Sequence, residues 1–159
     1  MFFNVFVYGT LKTKEPNHHW LTDPKKGKAT FIGEAETVKK YPLVIATKYN
    51  IPFLLDCQNH GHNVWGEVYK VDEQMLASLD ILEDHPSFYQ RDIEHVRLMK
   101  STEEENIFKC WIYFLNKFKP EMLSLPHHKN YSSTGDHGLQ YLERYQRNSC
   151  YDFKQEVHL

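Results

Sequence analysis

The 159-residue chain has no excess of one charge: 19 Lys and Arg stand against 21 Asp and Glu, a formal net charge of −2. That removes the electrostatic reason to expect a nucleic-acid or anionic-membrane partner. None of its apolar stretches approaches the roughly 20 residues that a membrane-spanning helix needs. Cysteine is scarce. Cys57, Cys110 and Cys150 make an odd count at irregular spacing; a secreted disulfide framework would pair every thiol, so a reducing, cytoplasmic setting is expected. Residues Met1 to Val7 carry no basic group and no small-residue cleavage site, so they read as a strand and not as a signal peptide. Internal repeats and low-complexity linkers are absent. So are a Gly-rich phosphate loop, a dinucleotide fingerprint and a Gly-x-Ser-x-Gly elbow.

What is present is a core. Hydrophobic residues make up 41% and charged residues 25%, enough apolar surface for one ordinary domain and too short a chain for two. Aromatics reach 14%, a share that favours strands and a closed or half-closed sheet. Phe2 to Tyr8 is apolar on both faces apart from Asn4, as expected of a strand buried on both sides. Strands are expected at Thr30 to Val38, Leu43 to Thr47, Ile51 to Asp56, Asn63 to Val71, Phe88 to Met99 and Ile107 to Leu115, with a short helical turn over Pro16 to Leu21. One convincing helix runs from Glu73 to Asp84, with Asp72 as its N-cap. Glu103 to Glu105 reads as a solvated loop. The sum is an α+β domain over residues 1–144, a mostly antiparallel sheet curled into a small mixed barrel with few helices. Residues 145–159 read as a polar, partly disordered tail.

Two features could carry chemistry. Tyr8-Gly9-Thr10-Leu11 closes the first strand. Glycine there lets the backbone turn and approach a ligand, and consecutive free N–H groups can hold an anionic oxygen. The bland alternative is an ordinary glycine turn. The second feature is Glu83. In helical projection Met75, Leu76, Leu79 and Leu82 form an apolar stripe, and Glu83 falls on it between Leu76 and Leu79. A lone carboxylate on a buried face is either an ion-pair partner or an acid/base with a raised pKa. Glu67, in the strand Trp65 to Tyr69, is a rival inward carboxylate, though a strand Glu is commonly a structural pair. Cys57, His60 and His62 lack a fourth ligand at zinc spacing, so no metal is expected. Cys110 lies in an apolar strand as a core thiol.

Val5 to Lys12 resembles the opening strand and substrate loop of the γ-glutamyl cyclotransferase-like family. The Leu79-Asp80-Ile81-Leu82-Glu83 helix end, followed by Tyr89-Gln90-Arg91, is similar to its catalytic segment. Tyr41 to Ala46, Asn50 to Pro52, Gly66 to Tyr69, Leu125 to His128 and His137 to Leu139 are similar to the branch that takes γ-glutamyl amines. The resemblance runs from about Val5 to Arg144. It implies a barrel in which the substrate's α-amino group attacks its own γ-carbonyl, giving 5-oxoproline and a free amine. It also implies γ-glutamyl-ε-lysine from degraded transglutaminase crosslinks as a substrate, with no cofactor and a monomer. Glu83 would be the catalytic acid/base, and Tyr8, Gly9, Thr10 and Leu11 would bind substrate. Ile51, Pro52 and Tyr113 are further expected pocket residues. The alternatives are an enzyme for γ-glutamyl α-amino acids and a catalytically silent binding homologue.

Overall fold

The computed structural model describes residues 1–100, 106–148 and 150–159, so the acidic loop at Glu103 to Glu105 lies outside the described residues. Among the described residues there are seven strands: β1 (Phe2–Val7), β2 (Ala29–Tyr41), β3 (Leu43–Ala46), β4 (Ile51–Leu54), β5 (His62–Asp72), β6 (Gln90–Leu98) and β7 (Ile107–Phe114). The helices are α1 (His19–Thr22), α2 (Glu73–Leu82) and α3 (Lys154–Val157). Five strands close a barrel in the order β1-β5-β2-β6-β7, while β3 and β4 form a separate two-stranded sheet. Closure is made by β1 pairing parallel to β7 at Val5 and Trp111; every other pair in the barrel is antiparallel. The expected mixed barrel with few helices is therefore what forms. Among the described residues no helix is long and apolar enough to cross a membrane.

β1 is buried on both sides because its alternate side chains enter two different cores. Phe6 and Tyr8 join Ala35, Val68, Val96, Cys110 and Ile112 in one cluster. Val5 and Val7 join Met75, Leu76 and Leu79 of α2 in the other. Only the strand's start, Phe2, is well exposed. Gly66 lets the strands meet, since a Cβ there would collide with the Val7 carbonyl oxygen and the Phe6 ring. β2 is long enough to need two register shifts, one of them between Glu36 and Lys40. At that bulge the buried Thr37 hydroxyl accepts from the Val64 N–H at 2.9 Å and donates to the Lys39 carbonyl, so a side chain takes over two groups that the broken ladder releases.

α2 starts where the sequence places it. The Asp72 carboxylate accepts hydrogen bonds from the N–H groups of Met75 at 2.8 Å and Lys28 at 3.1 Å. These bonds hold its pKa below the ordinary carboxylate value. Gly27, at φ +129°, is required beside this cap because a Cβ would run into the Met75 backbone and the Asp72 carboxylate.

The C-terminal segment departs from the expected loose tail. Val157 is 1% exposed. Phe118 and His158 form an antiparallel bridge, with the Lys119 N–H donating to Val157 O at 2.8 Å and the Leu159 N–H to Lys117 O at 3.0 Å. Phe153 packs edge-on against Tyr49 and Phe88. Fully burying a side chain of this kind contributes about 1.5–3 kcal/mol, and in a chain of this length each kcal/mol is worth about 2–4 °C. Deleting residues 150–159 is accordingly expected to lower the thermal midpoint by about 3 °C or more; an unchanged midpoint in calorimetry would return the segment to a free tail.

Candidate active site

Helix α2 ends in a way that separates two carboxylates three residues apart. The Glu83 N–H donates to Leu79 O at 2.9 Å, and Asp84 then enters the left-handed region at φ +51° and stops the helix. Asp80, one turn earlier, is fully engaged. It accepts from Arg91 Nε at 2.8 Å, Arg91 Nη2 at 3.1 Å and the Tyr113 hydroxyl at 2.7 Å. Burial works to raise the Asp80 pKa, but the guanidinium and the phenol outweigh it and hold the group below its ordinary value. This forked pair fastens α2 to β6 and β7.

Glu83 has the opposite environment. Among the described residues nothing donates a hydrogen bond to its carboxylate, and burial pushes its pKa up to about 7 against the opposing charge of Arg144. Burial likewise lifts the phenols of Tyr8 and Tyr89 well above their ordinary value, and the Glu83 charge adds to both shifts. Its surroundings are those of a desolvated carboxyl without a hydrogen-bonding partner among the described residues, with the Arg144 charge acting against the burial.

The turn after β1 faces the same space. The Tyr8 hydroxyl donates to Tyr113 O at 2.7 Å. Thr10 is held by Asn17, whose backbone N–H donates to Thr10 O at 2.8 Å and whose side-chain amide donates to Thr10 Oγ1 at 3.0 Å. Gly9 does not need a left-handed backbone; it is required by close packing, since a Cβ would lie 2.9 Å from Pro52 Cγ. Among the described residues no acceptor takes a hydrogen bond from the N–H groups of Gly9, Thr10 or Leu11. Glu83, Tyr8, Gly9, Thr10, Leu11, Ile51, Pro52 and Tyr113 all line one cavity of about 450 Å³. Such a space fits a small amino-acid derivative. It offers an unpaired carboxyl that can exchange a proton near pH 7 and a row of unengaged donors for an oxygen that becomes negative.

Glu67 lies elsewhere, lining a smaller hollow with Lys12 and Glu34. Its carboxylate accepts from the Thr13 N–H at 2.8 Å and the Tyr69 hydroxyl at 3.0 Å, so its hydrogen-bond donors are neutral, while the Lys12 charge faces it across the hollow. No group of three His, Cys, Asp or Glu among the described residues could hold a metal ion, Cys57, His60 and His62 included. Cys110 is a buried thiol whose pKa burial raises to about 12.

The wall that sequence reasoning missed comes from the C-terminal segment: Tyr141, Arg144, Arg147, Phe153 and Lys154 line the cavity. Four aromatic residues between Tyr141 and Phe153 carried a signal against disorder. Nothing in their spacing says which surface they cover.

A family model described as "Gamma-glutamyl cyclotransferase, AIG2-like" matches residues 5–133. The gamma-glutamylaminecyclotransferase of Rattus norvegicus is 47% identical over 147 residues, covering 91% of this chain and 99% of the rat protein. The Homo sapiens protein of the same name is 45% identical over 150 residues, 90% of this chain and 98% of its own length. The crystal structure of an AIG2-like protein from Mus musculus superposes with a TM-score of 0.86 at 46% identity, covering 92% of this chain and 99% of the mouse chain. With the same barrel and nearly half the residues shared along almost its whole length, this chain belongs to the gamma-glutamyl cyclotransferase, AIG2-like family.

Proposed function

We propose that this chain is a cyclotransferase for γ-glutamyl amines, acting on compounds such as the γ-glutamyl-ε-lysine left when transglutaminase crosslinks are degraded. The carrying observation is the Glu83 carboxyl, raised to about 7 and unpaired, on one cavity wall with the Tyr8 to Leu11 turn. The names of the rat and human relatives point to the same substrate class. Glu83, as carboxylate, takes a proton from the substrate's α-ammonium. The freed amine attacks the γ-carbonyl carbon, forming the C–N bond of a five-membered lactam and placing negative charge on the carbonyl oxygen. Backbone N–H groups of the Tyr8 to Leu11 turn stabilise that oxyanion. Collapse breaks the bond to the leaving nitrogen, which receives the proton from Glu83; the carboxylate so regenerated takes the second proton from the ring nitrogen and passes it to the departing amine, so that the lactam of 5-oxoproline leaves neutral and the amine leaves as its ammonium. Because the attack is intramolecular, the cavity's main task is to fold the glutamyl group back on itself. One carboxyl serves as base and then acid because its pKa lies near the working pH. The free cysteines and near-balanced charge support a cytoplasmic protein acting as a monomer on a small molecule, without nucleic acid.

Glu83→Gln is expected to lower 5-oxoproline release from γ-glutamyl-ε-lysine by roughly a hundred- to ten-thousand-fold, with circular dichroism unchanged; turnover within a few fold of wild type would remove Glu83 from the mechanism. The base form is the anion, so kcat/KM should climb with pH and level off above about 7, falling about tenfold per unit below it. A profile flat from pH 5 to 8 would contradict this. Substrate choice is read by comparison: γ-glutamyl-ε-lysine should be used with higher kcat/KM than γ-glutamyl-alanine, and the reverse order would assign the chain to γ-glutamyl α-amino acids.

A further inference from the structure

We infer that Arg144 is the receptor for the α-carboxylate of the γ-glutamyl group, fixing the head of the substrate so that its α-amine meets Glu83; this rests on the function proposed above. Any γ-glutamyl compound carries an ammonium and a carboxylate on the same carbon. If the ammonium is to reach Glu83, the carboxylate enters the same half-enclosed space. Bringing a second anion beside an unpaired, buried carboxyl is unfavourable unless a cation receives it.

Among the described residues three cationic side chains line the cavity: Arg144, Arg147 and Lys154. Two are already engaged. Lys154 Nζ sits 2.8 Å from Asp84 Oδ2. Arg147 donates from Nε to Leu142 O at 2.9 Å and from Nη2 to the Tyr141 hydroxyl at 2.8 Å. Its guanidinium also packs on the rings of Tyr49, Tyr141 and Phe153 at 4.9–5.3 Å. Arg144 is different. Its side chain makes no hydrogen bond or ion pair among the described residues, and the residue is exposed along the cavity. Its backbone is nevertheless held, because Arg144 O accepts from the Arg147 N–H at 3.2 Å in the short 3₁₀ turn Arg144–Gln146. A planar fork of unengaged donors on a fixed backbone is the geometry that takes a carboxylate in two parallel bonds.

Arg144 also tunes its neighbour. It is the charge that opposes burial at Glu83. Once a substrate carboxylate neutralises the guanidinium, that opposition fades and the Glu83 carboxylate becomes a stronger base at the moment the α-ammonium arrives. Free enzyme and complex would then differ in basicity through the substrate itself.

The test removes the carboxylate from the ligand and its receptor from the protein, separately and together. Titration calorimetry with 5-oxoproline and with 2-pyrrolidinone, which lacks the carboxylate, is run on wild type, Arg144→Gln and Arg144→Lys. Wild type should prefer 5-oxoproline by about ten- to a hundredfold, Arg144→Gln should lose that preference, and Arg144→Lys should recover part of it. In turnover, Arg144→Gln should raise KM for γ-glutamyl-ε-lysine by about the same factor. The KM penalty of the variant should be smaller for the 4-aminobutyryl analogue of that substrate, which has no carboxylate to lose. An undiminished preference for 5-oxoproline in Arg144→Gln would overturn the inference, as would an equal penalty for removing the carboxylate in both proteins. If wild type shows the Arg144-dependent preference yet turns over no γ-glutamyl compound, the carboxylate receptor stands and the proposed reaction falls.

Discussion

The structure hangs on the burial of β1 between two cores. As the closing seam of the barrel it pairs antiparallel with β5 and parallel with β7, and its side chains alternate between the two clusters. Val5, Phe6 and Val7 are buried, so at this end of the strand the first place the backbone can meet a ligand is beyond Val7. There the strand gives way to Tyr8-Gly9-Thr10-Leu11, with donors unengaged among the described residues. The parallel closure also decides what lies opposite, because α2 packs on the outward core through Met75, Leu76 and Leu79 and so delivers its own end to the same cavity.

At that helix end the fold treats two similar carboxylates in contrary ways. Asp80 receives a guanidinium and a phenol and is held anionic. Glu83 receives neither and is pushed toward neutrality. The engaged carboxylate fastens the helix, and the unengaged one three residues later inherits a fixed position without a hydrogen-bonding partner among the described residues, which is what the proposed proton transfer relies on. A rigid support with an unsatisfied acid upon it is what proton exchange near neutral pH requires.

The C-terminal segment adds a third wall. Residues from Tyr141 onward bring aromatic rings and guanidinium groups over the cavity, and Val157 with the Phe118–His158 bridge ties the end of the chain to the body. This supplies positive charge to a site whose barrel-derived part is a carboxyl and backbone donors, and it encloses the space without closing it.

The order of strands, the helix capped by Asp72, the unusual place of Glu83 on an apolar stripe and the turn at Gly9 were all legible in the sequence, because each depends on periodicity or local backbone chemistry within a few residues. The reason for Gly9 was not: it answers to Pro52, 43 residues later in the chain, and not to its own dihedral angle. Glu67 looked like an inward rival because alternation along a strand cannot tell which hollow a face overlooks. The tail looked loose because its apolar residues follow no regular period, and their burial exists only against surfaces built by distant strands. Thus the sequence by itself determined the barrel strands and helix α2, and it put Glu83 on an apolar stripe while leaving Glu67 as a rival. Only the tertiary structure decided that Asp80 would be ion-paired and held anionic, that Glu83 would share a cavity with the Gly9 turn, and that Arg144 would line it with them. Pairing, desolvation and charge proximity are properties of space, and residues from 11 (Asp80 and Arg91) to 135 (Gly9 and Arg144) apart in the chain acquire them only when the barrel closes.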